Sequence, residues 1–579
     1  MDEEGTRGAM SGRPPVGAIS ELVTTRLRAE LGLRLPMRDG TMLALDYWRP
    51  DVPGPLPVVL VRTPYDKVLE FDRNQDLYRN LAQRGYIVAF NDCHGRFNSD
   101  GVFTPYFDEA DDGYDTVEWV ASQDWCDGNV GMTGRSYSGQ TPWFAASRTP
   151  PHLKAIVPFA SPPSTLWRNE PFFGGAFMLS ALGGWMIGMG RRSWQDPQFI
   201  REFSNESDYF DELPVASLPA HAGVRSEWWD EMMQHPSYDD FWKRGSYDCH
   251  AQITTPALNI TGWWDMNFPG APTNFEAMRR THSQGETGAA QKLIIGPWPH
   301  WVNRERALNG VDFGDDAVIE LNDYVVRFFD RWLKGRQNGI EQEKDVYTFV
   351  VGANEWWAED DWPLADTAET AYYFHSGGSA NSLKGDGTLS TSPPGDEPAD
   401  TFFYDPADPV RTVYNFLDGP VDDRIPSIRD DVLCYTSEPL TEPIDVVGWV
   451  SCELYAASSA SDTDWHVRLV DVYPDGSARF LCRGLLRARF RDSFEAPSLL
   501  EPAKPTRFRI CLDATGNRFL PGHRIRVEVT SSWFPQYDRN TNSGSPNPFF
   551  ETETVMAEQT ILHGGAHPSH IVLPVVLRR

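Results

Sequence analysis

Cysteine is scarce in this sequence and never occurs in closely spaced pairs. The 579 residues include seven cysteines, an odd number with no C-x-x-C spacing. This distribution argues against a disulfide framework and against a zinc site built on cysteine pairs. No cofactor motif is recognisable either. We therefore expect reduced thiols and a protein that uses neither a metal nor an organic cofactor.

Positive charge is also in short supply. Lysine and arginine total 52 against 82 aspartates and glutamates, which gives a formal net charge of −30. Such a charge repels phosphate backbones and anionic lipids, so we expect no nucleic-acid partner and no membrane partner. The first residues, MDEEGTRGAM, carry acids where a secretory signal would need a basic start and an apolar core. We therefore predict a cytoplasmic protein.

Long apolar runs are absent, with one exception. The stretch FFGGAFMLSALGGWMIGMG, from Phe172 to Gly190, carries no charge and approaches the length that spans a bilayer. Six of its positions are glycine, and Pro171 precedes it. Glycine and proline in a single such segment favour a buried helical element or a pocket lining over a membrane span.

Short apolar runs such as LPVVLVRTPYD, GYIVAFNDCHG and KLIIGPWPH alternate with helical segments, which is typical of buried parallel strands in an α/β domain. Later segments such as HRIRVEVTSSW instead alternate with period two, as strands of an all-β domain do. The chain length suggests roughly three units. We predict a disordered start over 1–20, an α/β domain over 21–164 and 249–345, a helical cap over 165–248 and a β-sandwich over 346–579.

Ser136 lies in GMTGRSYSGQ, directly after one of the apolar runs. A serine between a strand end and a helix start, with small residues such as Gly134 and Ser138 nearby, can occupy a strained turn that exposes its hydroxyl. The pattern departs from G-x-S-x-G, because Gly139 follows the serine by three positions. On this stretch alone, Ser136 is either a nucleophile or an ordinary turn residue.

A serine nucleophile requires a histidine base and a carboxylate that orients it. In α/β-hydrolases the chain order is serine, acid, histidine. Asp265 ends the run TGWWD, and His300 ends the next run, GPWPH. Both therefore follow predicted strands, at the carboxyl edge where sites of parallel sheets form. This order favours the nucleophile interpretation.

Several motifs together resemble the cocaine esterase / X-Pro dipeptidyl-peptidase (CocE/NonD) family of serine hydrolases. They are DWCDGNVGMTGRSYSG, TGWWD, GPWPH, RTPYDK, NDCHGRFNSDG and FPQYDRNTNSG. The resemblance covers roughly residues 33–579. It implies an α/β-hydrolase core with an inserted helical cap and a C-terminal, jelly-roll-like all-β sandwich. The family's elbow, G-x-S-Y-x-G, has its second glycine where Gly139 stands.

The resemblance also implies roles for single residues. Ser136 matches the nucleophile, His300 the general base and Asp265 the residue that orients the imidazole. Tyr65 in TPYDK matches a side-chain donor to the oxyanion, and the backbone N–H of Tyr137 is expected to be the second donor. We further expect Phe172, Phe173 and Phe268 to contact the substrate, with plain core packing as the alternative.

For several other polar residues, the sequence favours a structural role over a catalytic or metal-binding one. His94 in NDCHGR matches a turn of the family. The histidines of HGGAHPSH, which are His563, His567 and His570, lack a cysteine or carboxylate neighbour in sequence, so a solvated terminal loop is favoured over a metal site. The acids before TVEWVASQ, which are Asp111, Asp112 and Asp115, suit a helix N-terminus.

The sequence thus predicts a serine hydrolase that cleaves esters, or else amides, of small acyl groups through an acyl-enzyme. An X-Pro dipeptidyl-peptidase is the alternative enzyme, and a binding protein on an inactive hydrolase scaffold is the non-enzymatic alternative. α-Amino acid ester hydrolysis is disfavoured because Met266 and Asn267, rather than acids, follow the catalytic aspartate. The oligomeric state stays open, a homo-oligomer included.

Overall fold

The computed structural model of the protein describes residues 12–167, 169–193, 207–282, 290–412 and 419–578. Residues 1–11 of the predicted disordered start lie outside this description. Residues 12–20 contain no helix or strand. The backbone N–H of Ser20 nevertheless donates to the carboxylate of Asp330 at 2.6 Å, so the end of this segment is fixed to the α/β domain.

The first part of the chain alternates strands and helices. Its described strands are β1 (Leu27–Pro36), β2 (Met42–Pro50), β3 (Leu56–Thr63), β4 (Ile87–Asp92), β5 (Cys126–Arg135), β6 (Leu153–Phe159), β7 (Phe172–Phe173), β8 (Ala176–Phe177), β9 (Ala257–Trp264), β10 (Gln291–Pro299), β11 (Ala307–Leu308), β12 (Val311–Asp312), β13 (Val346–Val350) and β14 (Glu355–Glu359). Its described α-helices are α1 (Lys67–Arg73), α2 (Gln75–Gln83), α3 (Glu109–Ala121), α4 (Tyr137–Ser147), α5 (Gly184–Met189), α6 (Leu218–His221), α7 (Glu227–Met232), α8 (Asp240–Arg244), α9 (Gly270–Thr281) and α10 (Leu321–Lys334).

Ten of these strands form one mixed sheet in the order β1-β2-β4-β3-β5-β6-β9-β10-β13-β14. The strands from β4 to β13 in this order are parallel, and the outer pairs are antiparallel. Alternate residues of β3 enter two different cores: Val58 and Leu60 face one, Val59 and Val61 the other. The apolar runs therefore mark strands that are buried on both faces, as predicted.

The helix α10 covers one face of this sheet. A Cβ atom added to Gly131 of β5 would lie 2.7 Å from the ring of Phe329, so the glycine permits the close approach of α10. The helix ends at Gly335, whose φ of 67° lies in the left-handed region. This helix thus packs against the strand that precedes Ser136.

The region between β6 and β9 contains the short hairpin of β7 and β8, followed by α5 to α8. The uncharged stretch from Phe172 to Gly190 folds into this hairpin, a π-helical turn and α5. None of the helices in the described part of the chain has the length and apolar character that crossing a bilayer requires.

The C-terminal part is all-β. Its described strands are β15 (Thr367–His375), β16 (Thr388–Ser390), β17 (Asp400–Tyr404), β18 (Leu433–Ser437), β19 (Ile444–Ser458), β20 (Asp464–Val472), β21 (Ala478–Arg487), β22 (Thr506–Phe519), β23 (Arg524–Thr530), β24 (Ala557–Leu562) and β25 (His570–Val576). They form a single sheet in the order β17-β24-β19-β22-β21-β20-β23-β18-β16-β15-β25. Because β25 also pairs with β19, the sheet closes on itself. The predicted fold class, an α/β-hydrolase core with an all-β sandwich, is confirmed.

The hairpin of β13 and β14 belongs to the first sheet. β13 is parallel to β10, with Leu293 opposite Val346. The period-2 pattern that begins at residue 346 therefore first completes the α/β sheet, and the all-β sheet starts at Thr367. Alternation identifies a half-buried strand but not the sheet that it joins. The predicted division of the chain into domains stays a prediction.

Candidate active site

Ser136 occupies a strained turn between β5 and α4. Its φ of 61° and ψ of −128° are rarely adopted by a residue with a side chain. A Cβ atom added to Gly134 would lie 2.2 Å from the carbonyl oxygen of Ser138, and one added to Gly139 would lie 2.5 Å from that of Phe159. Both glycines are thus required by close backbone approaches, which explains the spacing of GRSYSG.

Asp265 and His300 form a buried pair. The distance between His300 Nδ1 and Asp265 Oδ1 is 2.7 Å. The hydroxyl of Thr261 donates to Asp265 Oδ2 at 2.8 Å, and the backbone N–H of Asn267 donates to Oδ1 at 3.0 Å. With Nδ1 held by the carboxylate, Nε2 of His300 is the nitrogen available to take up a proton.

The three residues lie at the same edge of the sheet. Ser136 follows β5, Asp265 follows β9 and His300 follows β10, and these strands are parallel, with β6 between the first two. The guanidinium of Arg135 lies 5.1 Å from the ring centroid of Trp301. This contact joins the residue before the serine to the residue after the histidine.

Tyr65 lies against the nucleophile. Its hydroxyl forms side-chain hydrogen bonds with Ser136 and with Trp185, whose indole N–H donates at 3.2 Å. Burial raises the pKa of Tyr65 to about 12, so the hydroxyl keeps its proton at neutral pH. Tyr137 is the first residue of α4, where backbone N–H groups have no partner within the helix. Both groups are hydrogen-bond donors beside the serine.

The three phenylalanines predicted to contact substrate have different surroundings. Phe172 has no exposed surface and stacks on Trp167 with ring centroids 4.3 Å apart. Phe268 is also fully buried and packs against Trp263. Phe173 is 5% exposed. Complete burial favours core packing for Phe172 and Phe268. Contact of Phe173 with the substrate stays a prediction.

Some residues of the site carry no signal in the sequence. Trp185, which bonds to Tyr65, lies in the middle of the uncharged stretch. Thr261, which bonds to Asp265, lies inside a buried strand. Glu170 is 5% exposed and accepts a hydrogen bond from the hydroxyl of Tyr106 at 2.8 Å. Burial raises the pKa of Glu170 to about 7, and the negative charge of Asp265 adds to this effect.

The other candidates lie apart from this site. His94 Nδ1 is 3.3 Å from Asp112 Oδ2. Asp111 and Asp112 lie in the first turn of α3, as predicted, whereas Asp115 lies further along and accepts a hydrogen bond from Arg38 at 2.7 Å. All seven cysteines are free thiols. The prediction of a solvated histidine loop is wrong for His563, which is fully buried and bonded to Asp400 of another strand; sequence neighbours could not reveal a partner from so distant a segment.

The chain is similar to known proteins along most of its length. The family model described as X-Pro dipeptidyl-peptidase (S15 family) matches residues 39–302, and that described as X-Pro dipeptidyl-peptidase C-terminal non-catalytic domain matches 338–572. Cocaine esterase of Rhodococcus sp. (strain MB1 Bresler) is 40% identical over 94% of this chain and 98% of its own.

Two solved structures are also similar. An aminopeptidase from the marine sediment archaeon Thaumarchaeota archaeon has a TM-score of 0.84 at 27% identity, with all of both chains covered. An α-amino acid ester hydrolase has the same TM-score and identity over 98% of this chain and 99% of its own. The likeness thus extends over the α/β domain, the cap and the all-β part.

Proposed function

The chain belongs to the cocaine esterase / X-Pro dipeptidyl-peptidase (CocE/NonD) family of serine hydrolases, and on this premise we propose that Ser136, His300 and Asp265 carry out its hydrolysis of carboxylic esters of small acyl groups. The enzyme is a serine ester hydrolase. The observation that supports the residue assignment is the strained elbow at Ser136 beside the buried pair of Asp265 and His300.

In the first half-reaction, Ser136 Oγ attacks the ester carbonyl carbon while His300 Nε2 takes up the hydroxyl proton. The carbonyl oxygen becomes an oxyanion, which the Tyr65 hydroxyl and the Tyr137 backbone N–H stabilise. When the tetrahedral intermediate collapses, the bond to the alcohol oxygen breaks and His300 returns the proton to it. The alcohol leaves, and Ser136 carries the acyl group.

In the second half-reaction, a water molecule attacks the acyl carbon and gives its proton to His300. The bond to Ser136 Oγ breaks, the serine recovers the proton, and a carboxylic acid is released. Asp265 stays ionised and holds the imidazole through Nδ1, which stabilises the imidazolium that forms in both halves.

A fluorophosphonate probe tests the assignment. We expect stoichiometric labelling of Ser136 in the wild-type protein and loss of labelling in His300→Ala, because the hydroxyl then lacks its base. His152→Ala serves as the matched control, since this half-exposed histidine pairs with Glu118 away from the site. Equal labelling of wild type and His300→Ala, or labelling at another serine, would contradict the assignment.

Peptidase activity on Xaa-Pro substrates is the second candidate, and the S15 family match over residues 39–302 favours it. The two candidates are separated by comparing kcat/KM on p-nitrophenyl esters and on Xaa-Pro-p-nitroanilides. We expect the esters to be preferred. Efficient cleavage of the anilides with negligible ester hydrolysis would reverse this order.

We propose that Phe173 contributes to the acyl pocket. It stacks on Tyr537 of the all-β part, with ring centroids 5.9 Å apart. Phe173→Ala should change the ranking of acyl chain lengths by kcat/KM while the protein stays folded. A uniform loss on every ester, or unfolding, would show that this ring is core packing only.

We also propose a cytoplasmic location without nucleic-acid partners. Seven free thiols suit a reducing compartment, and the net charge of −30 opposes binding to polyanions. Fractionation of the native host cells tests the location: recovery of the protein outside the cytoplasmic fraction would contradict it.

A further inference from the structure

A cavity of about 470 Å³ lies beside the nucleophile elbow, and three arginines line it. Arg135 enters it from the end of β5, Arg304 from the loop after His300, and Arg73 from the segment before α2. The first residues of α2 and α10 complete the wall. None of the residues assigned to catalysis lines this cavity, so it is separate from the proposed active site.

Two of the guanidiniums share one aromatic ring. Arg135 lies 5.1 Å and Arg304 lies 4.6 Å from the ring centroid of Trp301. The Nε and Nη1 atoms of Arg135 are buried and have no hydrogen-bond partner. Burial, and next the positive charge of Arg304, lower the pKa of Arg135 to about 10. The fold thus holds two like charges together, which is unfavourable unless an anion lies between them.

Several buried arginines elsewhere in the described part of the chain have carboxylate partners, although the buried Arg96 is held by backbone carbonyls instead. Three of them form ion pairs at 2.9 Å or less, namely Arg62 with Glu109, Arg487 with Asp464, and Arg489 with Asp462. Within the described residues, by contrast, Arg73, Arg135 and Arg304 form no ion pair. Arg73 and Arg304 are exposed to solvent, so the unsatisfied group is Arg135, whose buried Nε and Nη1 atoms have no partner. This unpartnered guanidinium at the cavity points to a ligand.

The carboxylates around the cavity limit the charge of that ligand. Asp72 and Asp76 lie exposed in its wall. Glu70 lies beneath it and is hydrogen-bonded to Tyr78 at 3.3 Å, and burial raises its pKa. The side chains that line the cavity carry three positive and two negative charges, which suits an anion with one charge better than a phosphate dianion.

We propose that this cavity binds a small monocarboxylate, held by the guanidiniums of Arg135 and Arg304. A planar guanidinium presents a pair of N–H groups that match the two oxygens of a carboxylate. Ester hydrolysis releases one carboxylic acid in each turnover, so the reaction's own acid product belongs to this class. The source of the ligand therefore rests on the proposed function, whereas the anion site itself does not.

The site lies where its occupation would affect catalysis. Arg135 is the residue before Ser136, and Trp301 is the residue after His300. The guanidinium of Arg73 lies 5.3 Å from the ring centroid of Tyr65, the proposed oxyanion donor. Arg135 is thus next to the proposed nucleophile, Arg73 contacts the proposed oxyanion donor, and Arg304 contacts the residue after the proposed base.

Isothermal titration calorimetry with sodium benzoate near pH 7 tests the proposal. We expect saturable binding to the wild-type protein and a weakening of about tenfold or more in Arg304→Gln and Arg73→Gln, since each removes a charged hydrogen-bond donor. Arg306→Gln is the matched control, because Arg306 pairs with Asp312 outside the cavity, and it should bind benzoate like wild type. Benzamide, which is neutral, should show no binding that depends on Arg304.

Unchanged benzoate affinity in both Arg304→Gln and Arg73→Gln would overturn the proposal, because binding would then occur elsewhere. Inorganic phosphate is the second probe: if it binds more tightly than benzoate and depends on Arg304, the ligand is a phosphate and not a carboxylate. Both arginines are exposed, so the variants should fold, and equal melting temperatures verify this. Hydrolysis of p-nitrophenyl acetate by the same samples tests the proposed function separately.

Discussion

Two clusters of serine, histidine and aspartate can be compared within the described residues, one at the edge of the α/β sheet and one inside the all-β part. In the second cluster, Ser376 Oγ lies 3.1 Å from His563 Nε2, and that nitrogen lies 2.9 Å from Asp400 Oδ2. These distances alone would suit a catalytic triad. The chemistry of the two clusters nevertheless differs.

The two clusters differ in which groups contact the nitrogen atoms of the imidazole. In the second cluster, the serine and the aspartate both contact Nε2, and Ser376 donates its proton directly to Asp400 at 2.7 Å. Asp400 also accepts hydrogen bonds from the Tyr435 hydroxyl and the Ala380 backbone N–H, each at 2.8 Å. His563 and Asp400 are fully buried. The serine thus donates its proton to the carboxylate, and burial of the ring closes it to a substrate.

At the sheet edge, by contrast, Asp265 holds Nδ1 and leaves Nε2 for proton transfer, and Ser136 lies in a strained turn. The comparison teaches that three residue types within hydrogen-bonding distance do not define a nucleophile. The order of the groups around the imidazole, and access of a substrate to the serine, decide between catalysis and structure.

The most severe test replaces the serine of each cluster. Ser136→Ala should lower kcat/KM on a p-nitrophenyl ester by about a thousandfold or more, because the nucleophile is lost. Ser376→Ala should leave kcat/KM unchanged and lower the melting temperature, since it removes a hydrogen bond from the buried Asp400. Loss of activity in Ser376→Ala without loss of stability would contradict a purely structural role for the second cluster.

The tyrosines of the two clusters provide the next test. Tyr65→Phe should reduce kcat by about a hundredfold to a thousandfold with little change in KM, because one oxyanion donor is removed. Tyr435→Phe, the counterpart in the all-β part, should leave kcat intact. Since the pKa of Tyr65 is raised to about 12, its ionisation should not limit the wild-type rate up to about pH 10. Steady-state kinetics across pH measure both effects.

Asp400→Asn should destabilise the folded protein by about 3 to 5 kcal/mol near neutral pH, because it removes a buried charge from its hydrogen-bond network. Burial opposes the charge of Asp400, but its hydrogen bonds, that from His563 first, leave its pKa below the usual value. The stabilisation is therefore present above the unfolded-state pKa and is lost as the pH falls through the folded-state value. Urea unfolding at several pH values should show the gap between wild type and variant beginning to narrow as the pH falls below about 4.

Glu170→Gln should raise the free energy of unfolding near neutral pH, whereas Asp400→Asn should lower it. Burial raises the pKa of Glu170 to about 7, so the folded state favours the protonated form and loses stability as the pH rises from the unfolded-state value to about 7. The neutral glutamine avoids this loss and still accepts the hydrogen bond from Tyr106. We expect the variant to match wild type near pH 4 and to exceed its unfolding free energy by on the order of 2 to 3 kcal/mol at pH 8.

A constant stability difference between wild type and Glu170→Gln across this pH range would contradict the prediction that wild type loses stability relative to the variant as the pH rises. Such a result would mean that the surroundings of Glu170 offset the burial of its negative charge, as the hydrogen bonds of Asp400 do. The contrast between a buried carboxyl that costs stability near the catalytic pair and one that contributes it in the all-β part would then be lost.

Much of the architecture could be predicted because its signals are local. Apolar runs marked the strands that end before Ser136, Asp265 and His300, and the glycine spacing of GRSYSG matched a known elbow. The pairing of β13 with β10 could not be predicted, since a local pattern does not record which strand lies alongside. His563 was misjudged for a similar reason, because its partner Asp400 lies in a distant strand.

The sequence by itself determined the periodicity of the strands, the backbone freedom at Gly134 and Gly139, and the order of nucleophile, acid and base along the chain. The first two properties depend on neighbours within a few positions, and the third is read directly from the chain. Only the tertiary structure decided which groups meet: Trp185 with Tyr65, His300 with Asp265, and three arginines around one cavity. Such meetings depend on sheet order and helix packing, which bring together side chains from segments far apart in the chain.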